Sequence, residues 1–157
     1  LGLCSRRQRQ LDKSLQLFSR AVELQPENTK YRNNLAAALV DSGPHGEWAE
    51  GIIATGALHA PELARVEAAN ILRRMERDEE ITTAEANAAY EDLIQLNMEM
   101  FGFDPFAERI WELRHSLTSY DAWYVAIAEA LKVPLATLDK RLARSTGPSC
   151  DFLTPGS

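Results

Sequence analysis

Apolar positions along the 157-residue chain change their texture at Gly43-Pro44. Before that point, L-D-K-S-L-Q-L-F-S-R-A-V-E-L-Q-P-E-N (11–28) sets Leu11, Leu15, Phe18 and Val22 on one helical stripe, with Leu24 beside them, and Pro26 stops the run. T-K-Y-R-N-N-L-A-A-A-L-V-D-S-G (29–43) follows as a second helix, so the two segments predict a helical hairpin. After Gly43-Pro44, a helix through Trp48 and Ile52 leads to a short extended piece, A-L-H-A-P (57–61), and a strongly amphipathic helix over 62–77. The next helix starts at a capping box formed by Thr82 and Glu85. M-E-M-F-G-F (98–103) is a strand, and P-F-A-E-R-I-W-E-L-R-H-S-L is a helix with Pro105 near its start. A helix from Asp121 to Lys132, a buried strand P-L-A-T-L (134–138) and a final strand C-D-F-L (150–153) complete the pattern. Short apolar strands alternating with amphipathic helices predict a three-layer α/β/α domain around a mainly parallel sheet.

Ser14, Phe18, Ala21 and Pro26 occupy the small, aromatic, small and proline positions of the second helix of a tetratricopeptide repeat, which the first segment resembles. The match covers barely more than one unit, and such repeats bury their faces only by stacking. Any amphipathic helical hairpin is the alternative reading. The division expected is a repeat-like segment over 1–34 and an α/β domain over 35–157.

With 45% apolar and 25% charged residues, the chain can bury a core. No apolar run reaches membrane-spanning length, and L-G-L-C-S-R-R has no apolar signal core, so a cytoplasmic protein is expected. The leucine at position 1 predicts a processed product or a piece of something longer. Cys4 and Cys150 lie at opposite ends, without the spacing of a disulfide framework or a zinc site. The net charge of −6 divides unevenly, +3 over residues 1–42 and −9 over the rest. A protein gripping nucleic acid by charge alone is normally basic. The acidic part must therefore avoid nucleic acid or meet phosphates through bound cations.

Three acids stand out by position. Glu67 shares a helix face with Leu63 and Ile71, where a carboxylate is costly unless it is paired or bound to a metal. The alternative is a partly exposed face on which Glu67 meets Arg73 or Arg74. Asp121 closes T-S-Y-D, which has capping-box spacing, yet it lies on the stripe of Tyr124, Val125 and Ala128. Asp139 can cap the helix K-R-L-A-R that follows it, and it also sits just past the carboxyl end of a buried strand, where open parallel sheets place ligands. Singly, each acid is a cap or a surface charge. Together they are the residue types with which a nuclease lacking a catalytic histidine holds hard divalent cations.

L-H-A-P-E-L-A-R-V-E-A-A-N-I-L-R-R (58–74), W-E-L-R-H-S-L-T-S-Y-D-A-W-Y-V-A-I-A-E-A-L (111–131) and P-L-A-T-L-D-K-R-L-A-R (134–144), in that order and spacing, closely resemble the PIN domain of VapC-type toxins. The resemblance spans roughly residues 35–155. It implies helices on both sides of a parallel sheet and a Mg²⁺- or Mn²⁺-dependent endoribonuclease acting on RNA. It also implies a small VapB-like antitoxin as partner and a homodimer. By position, Glu67, Asp121 and Asp139 are the family's second, third and fourth acids. The first acid breaks the pattern. L-A-A-A-L-V-D (35–41) matches the tail of the family's opening segment, and counting back from it puts the first aspartate at Tyr31, with T-K-Y-R-N-N where a central strand belongs. Asn33, Asn34 and Asp41 do not match the motif. Loss of this metal ligand predicts weakened metal binding and catalysis, and loss of the strand predicts two unpaired edges.

A second reading is a non-enzymatic repeat scaffold fused to a degenerate PIN domain, and a third is a product of gene rearrangement. Arg73, Arg74, Arg77, Lys140, Arg141 and Arg144 are either backbone and antitoxin contacts, as the resemblance implies, or solvated helix faces. His45, His59 and His115 lack ligand spacing. Trp48, Trp111 and Trp123 lie in helical stripes, which predicts packing roles.

Overall fold

The computed structural model describes Glu47, Trp48, Gly51, Ile52 and residues 58–156. The repeat-like segment, Tyr31 and the position of the first strand lie outside the described residues, as do Cys4 and His45. The order of elements is β1 (Leu58–Pro61), α1 (Leu63–Arg77), α2 (Thr83–Gln95), β2 (Met98–Phe101), α3 (Ala107–Glu112), α4 (Ser119–Leu131), β3 (Leu135–Ala136) and β4 (Phe152–Leu153). The fold is α/β with parallel strand pairing, as the alternating pattern predicts. No helix among the described residues is long and apolar enough to cross a membrane. The chain divides into two compact units, one containing residues 65–96, the other residues 58–64 and 97–156.

The first unit is a helical hairpin. Helical spacing on α1 brings Ala68, Ile71, Leu72 and Met75 to one side, where they are buried with Ala86 and Leu93 of α2 and Ile81 from the turn. The turn is hydrogen-bonded at both ends. Glu79, in the left-handed region at φ 57°, donates its N–H to the Glu76 carbonyl, and the Glu80 N–H reaches the Met75 carbonyl at 2.8 Å. The capping box expected at Thr82 and Glu85 is present in both directions, satisfying two amides that a helix start leaves orphaned. An Arg65 guanidinium N–H donates to the Leu96 carbonyl at 3.1 Å, which ties the start of α1 to the end of α2.

The second unit contains two parallel strand pairs. β1 runs with β2 in the register Leu58↔Met98 to Pro61↔Phe101, and β3 runs with β4 through Leu135↔Phe152 and Ala136↔Leu153. Helix α4 packs against both β1 and β3 and against α3. Its Ala122, Val125, Ala126, Ile127 and Ala128 are buried, so it is the spine of this unit. Ile110, Leu113 and Leu142 join it in the core, with Phe106, Trp123, Leu135 and Phe152 packed around them.

Several elements are shorter than their patterns suggest. The strand expected over 98–103 ends at Phe101, and that over 134–138 contracts to Leu135–Ala136. Pro134 has no N–H to give to a ladder, and after the Thr137 N–H reaches the Leu153 carbonyl at 2.9 Å the chain bends at Leu138 to begin the Asp139 cap. The helix expected from Pro105 is split into a 3₁₀ turn (Asp104–Phe106), α3 and a second 3₁₀ turn (Leu113–His115), and K-R-L-A-R forms only a 3₁₀ turn (Leu142–Arg144). Trp111 corrects a sequence expectation outright. It is 66% exposed, because Ile110 and Leu113 fill the inward face of its helix. Trp123 keeps its packing role, with Phe103 edge-on to its ring at 5.3 Å. Trp48 is half-buried.

One ion pair fastens this unit. Arg109 of α3 forks onto Glu129 of α4, with Nε to Oε2 at 2.7 Å and Nη2 to Oε1 at 3.0 Å. The same guanidinium donates to Glu112 at 2.9 Å and to the Gly147 carbonyl at 2.9 Å, and Glu129 Oε1 accepts the Ser149 N–H at 2.7 Å. The guanidinium beside it holds the Glu129 carboxyl below the usual carboxylate range, against the opposing effect of burial. Next to this fork, burial pushes the Cys150 thiol up.

Because the Glu129 carboxyl is depressed on folding, its contribution is fully present above the ordinary carboxylate value and is lost as pH falls through the folded value. Glu129→Gln should lower stability by about 1–3 kcal/mol near neutral pH, the cost of stranding one partner of a half-buried charged pair. The loss should shrink toward acid pH, measured by urea unfolding across the range. Lys132 ends α4 at φ 55°, with Val133 N–H on the Ala128 carbonyl. Lys132→Gly should raise stability by roughly 1 kcal/mol by removing the left-handed penalty, readable in the same assay.

Candidate active site

Asp121 stands in the first turn of α4, placed there by Thr118. Thr118 has the extended backbone of an N-cap, and its Oγ1 accepts the Asp121 N–H at 3.2 Å. The same hydroxyl donates its proton to Asp121 Oδ2 at 2.8 Å. The T-S-Y-D signal thus produces a cap that also steers the carboxylate. Asp121 Oδ1 accepts no hydrogen bond among the described residues.

Asp139 follows the end of β3 and is held in the same manner. Its N–H donates to Thr137 Oγ1 at 3.0 Å. Its Oδ1 accepts the Arg141 N–H at 2.7 Å and the Leu142 N–H at 3.3 Å, which caps the 3₁₀ turn that follows. Asp139 Oδ2 accepts nothing among the described residues. Both aspartates are half-buried and belong to the second unit.

Glu67 belongs to the first unit, on α1. It is half-buried between buried Ala64 and Ala68, one turn before buried Ile71, and it is not without a partner. Val66, adjacent to it, points outward and is 55% exposed. No three His, Cys, Asp or Glu side chains are grouped as metal ligands among the described residues.

The donor chemistry is consistent across the two aspartates. Each carboxylate accepts local hydrogen bonds through one oxygen and, among the described residues, none through the other. Hard oxygen donors of this kind suit Mg²⁺ or Mn²⁺ and not a thiolate-seeking metal. Sequence reasoning missed Thr137, which is fully buried and receives the Asp139 amide. The available signal was a hydroxyl within an apolar run two residues before an aspartate.

The surrounding cations are mostly engaged or solvated. Arg77 pairs with Asp78 at 2.8 Å, Arg73 reaches Asn70 at 3.4 Å, and Arg74 is not without a partner. Lys140, Arg141 and Arg144 are exposed. His59 lies 3.3 Å from Glu99, its register partner across the β1–β2 pair, and 5.9 Å from the Phe101 ring. His115 is exposed.

The family model described as PIN domain matches residues 33–147. The chain is 41% identical over 123 residues to Ribonuclease VapC1 of Mycobacterium tuberculosis, covering 74% of this chain and 92% of that protein. It is 37% identical over 114 residues to VapC ribonuclease Mb0985 of Mycobacterium bovis, covering 73% and 87%. Ribonuclease VapC3 of Mycobacterium tuberculosis is 37% identical over 93 residues, covering 59% and 68%.

Thr118→Ala removes both the cap and the proton that fixes Asp121 Oδ2. It should cost about 1 kcal/mol in urea unfolding, whereas Thr118→Ser, which keeps the hydroxyl, should stay close to the parent.

Proposed function

This chain belongs to the PIN domain family, and from that premise we propose that it is a divalent-metal-dependent endoribonuclease of the VapC toxin class. The observation that carries the proposal is the matching local anchoring of Asp121 and Asp139, each held through one carboxylate oxygen while the other accepts no hydrogen bond among the described residues. The relatives named as ribonucleases support the RNA substrate. Glu67, Asp121 and Asp139 would hold Mg²⁺ or Mn²⁺. A bound divalent cation supplies charge neutralisation at a phosphodiester and lowers the pKa of a coordinated water.

The chain's own residues do the positioning. Thr118 orients Asp121, and the backbone amides of Arg141 and Leu142 orient Asp139. Neither carboxylate then has to surrender rotameric freedom at the moment of binding. We further propose that activity is impaired, because Tyr31 stands where the family's first acid belongs and the family match starts past it, at residue 33. The same departure favours, as a second reading, a degenerate PIN domain retained for binding. A VapB-like antitoxin and a second copy of the chain are the protein partners that the toxin reading proposes.

Incubation of the purified chain with single-stranded RNA and Mg²⁺ or Mn²⁺ should give endonucleolytic products. Asp121→Asn should reduce cleavage by more than about 100-fold, above the range for losing a residue that merely supports metal ligands. Cleavage that persists undiminished in a chelator, or in Asp121→Asn, removes the proposal. Binding of RNA or antitoxin without any cleavage favours the second reading.

A further inference from the structure

Trp111 has no role in the core and none in the carboxylate site, and its surroundings are unusual for a stray surface aromatic. The indole is 66% exposed, and the Arg114 guanidinium lies over its ring, 4.8 Å from the centroid. Arg114 is fixed there by a second contact, donating from Nη1 to the Trp111 carbonyl at 2.8 Å. A cation held both over the ring and onto the backbone is a preformed pair that loses little freedom when something stacks on it.

The pair is also rigidly placed. Trp111 lies in the last turn of α3, which the Arg109 fork fastens to α4. Ser116 and Leu117 both donate to the Leu113 carbonyl at 2.9 Å, so the chain turns at once into the Thr118 cap. Trp111, Arg114 and Asp121 therefore lie at the same end of the α3–α4 pair. We propose that Trp111 and Arg114 form a stacking platform for a nucleobase of a single-stranded RNA, at the end of the α3–α4 pair that carries Asp121. The proposal rests on the nuclease reading above and adds to it a means of holding the strand.

Two features select a nucleobase over an apolar protein surface. The other exposed residues between Glu108 and Ser116 are Glu108, Glu112, Arg114, His115 and Ser116, all polar, whereas a protein hot spot is centred on an apolar, desolvated pocket. Stacking is also tolerant of charge, since every base offers a π-face whatever the net charge of the protein. That suits a chain with a net charge of −6, in which phosphate contacts alone are a poor source of affinity. Glu112, the nearest acid in sequence, is met by Arg109 at 2.9 Å, which lessens its repulsion of a phosphate.

The test uses the full chain carrying Asp121→Asn, so that RNA is held uncut, with a fluorescently labelled single-stranded RNA and anisotropy as readout. Adding Trp111→Ala should weaken binding about 5- to 100-fold, the range for losing one stacked base, while Trp111→Phe should stay within about threefold. Arg114→Ala should fall between them, and circular dichroism with urea unfolding verifies that each variant is folded. In the cleaving chain, Trp111→Ala should raise KM with kcat unchanged. Parent-like RNA binding by Trp111→Ala overturns the platform, as does Trp111→Phe binding as weakly as Trp111→Ala. Loss of self-association or of a protein partner with RNA binding intact overturns it too, and assigns the ring to a protein interface. If the parent cuts RNA and Trp111→Ala behaves like it, only the platform falls. If the parent neither binds nor cuts RNA, the nuclease reading falls and takes the platform with it.

Discussion

The bidentate pair between Arg109 and Glu129 is the constraint on which the geometry of the second unit depends. Without it, α3 is a helix of six residues flanked by 3₁₀ turns, too short to hold its direction by its own hydrogen bonds. With it, α3, α4 and the segment around Gly147 and Ser149 meet at one point. The pair is charged and half-buried, so its desolvation is costly. The cost is offset because both Glu129 oxygens are engaged and Arg109 spreads its donors over acceptors of three residues. The head of α4 can be no better placed than its body, and Asp121 stands at that head. An interaction far from the carboxylates in chemistry is thus what fixes one of them in space.

At the two aspartates, a local hydrogen-bonding role leaves room for a ligand role. A helix-cap carboxylate and a ligand carboxylate are usually treated as rival readings of one residue. Here one oxygen of each accepts local hydrogen bonds, and the other accepts none among the described residues. Such anchoring removes freedom that a surface carboxylate would otherwise lose on binding any ligand. The hydroxyls of Thr118 and Thr137 serve both positions in the same way, one reaching a side chain, the other a backbone amide.

Much of this was legible in the sequence, for identifiable reasons. The α1–α2 hairpin has long periodic faces and a complete capping box, both local signals that survive folding. The acids at 121 and 139 were visible because each interrupts an apolar pattern beside a turn signal. Element lengths were less legible. Apolar runs such as P-L-A-T-L are shared between a two-residue strand and the turn that ends it, and periodicity cannot mark where one passes into the other. Trp111 was misjudged for a related reason. Ile110 of α3 and Leu113 of the 3₁₀ turn after it take the inward positions of this short segment, a choice decided by packing and not by spacing. The Arg109–Glu129 fork joins residues twenty apart with no motif between them, so nothing local announced it.

The division of labour at Asp139 also bears on how such a site decays over evolutionary time. Its Oδ1 holds two backbone amides, and an asparagine carries an acceptor oxygen in the same place. A single drift from acid to amide therefore removes the negative charge while the turn keeps its cap. The structural requirement filters out most other replacements, since alanine or valine would leave two amides unanswered. Lineages in which the chemistry is no longer needed have a short path open to them, toward chains that fold well and no longer carry the charge. Asparagine at this position is the mark to look for in the silent members of such a lineage.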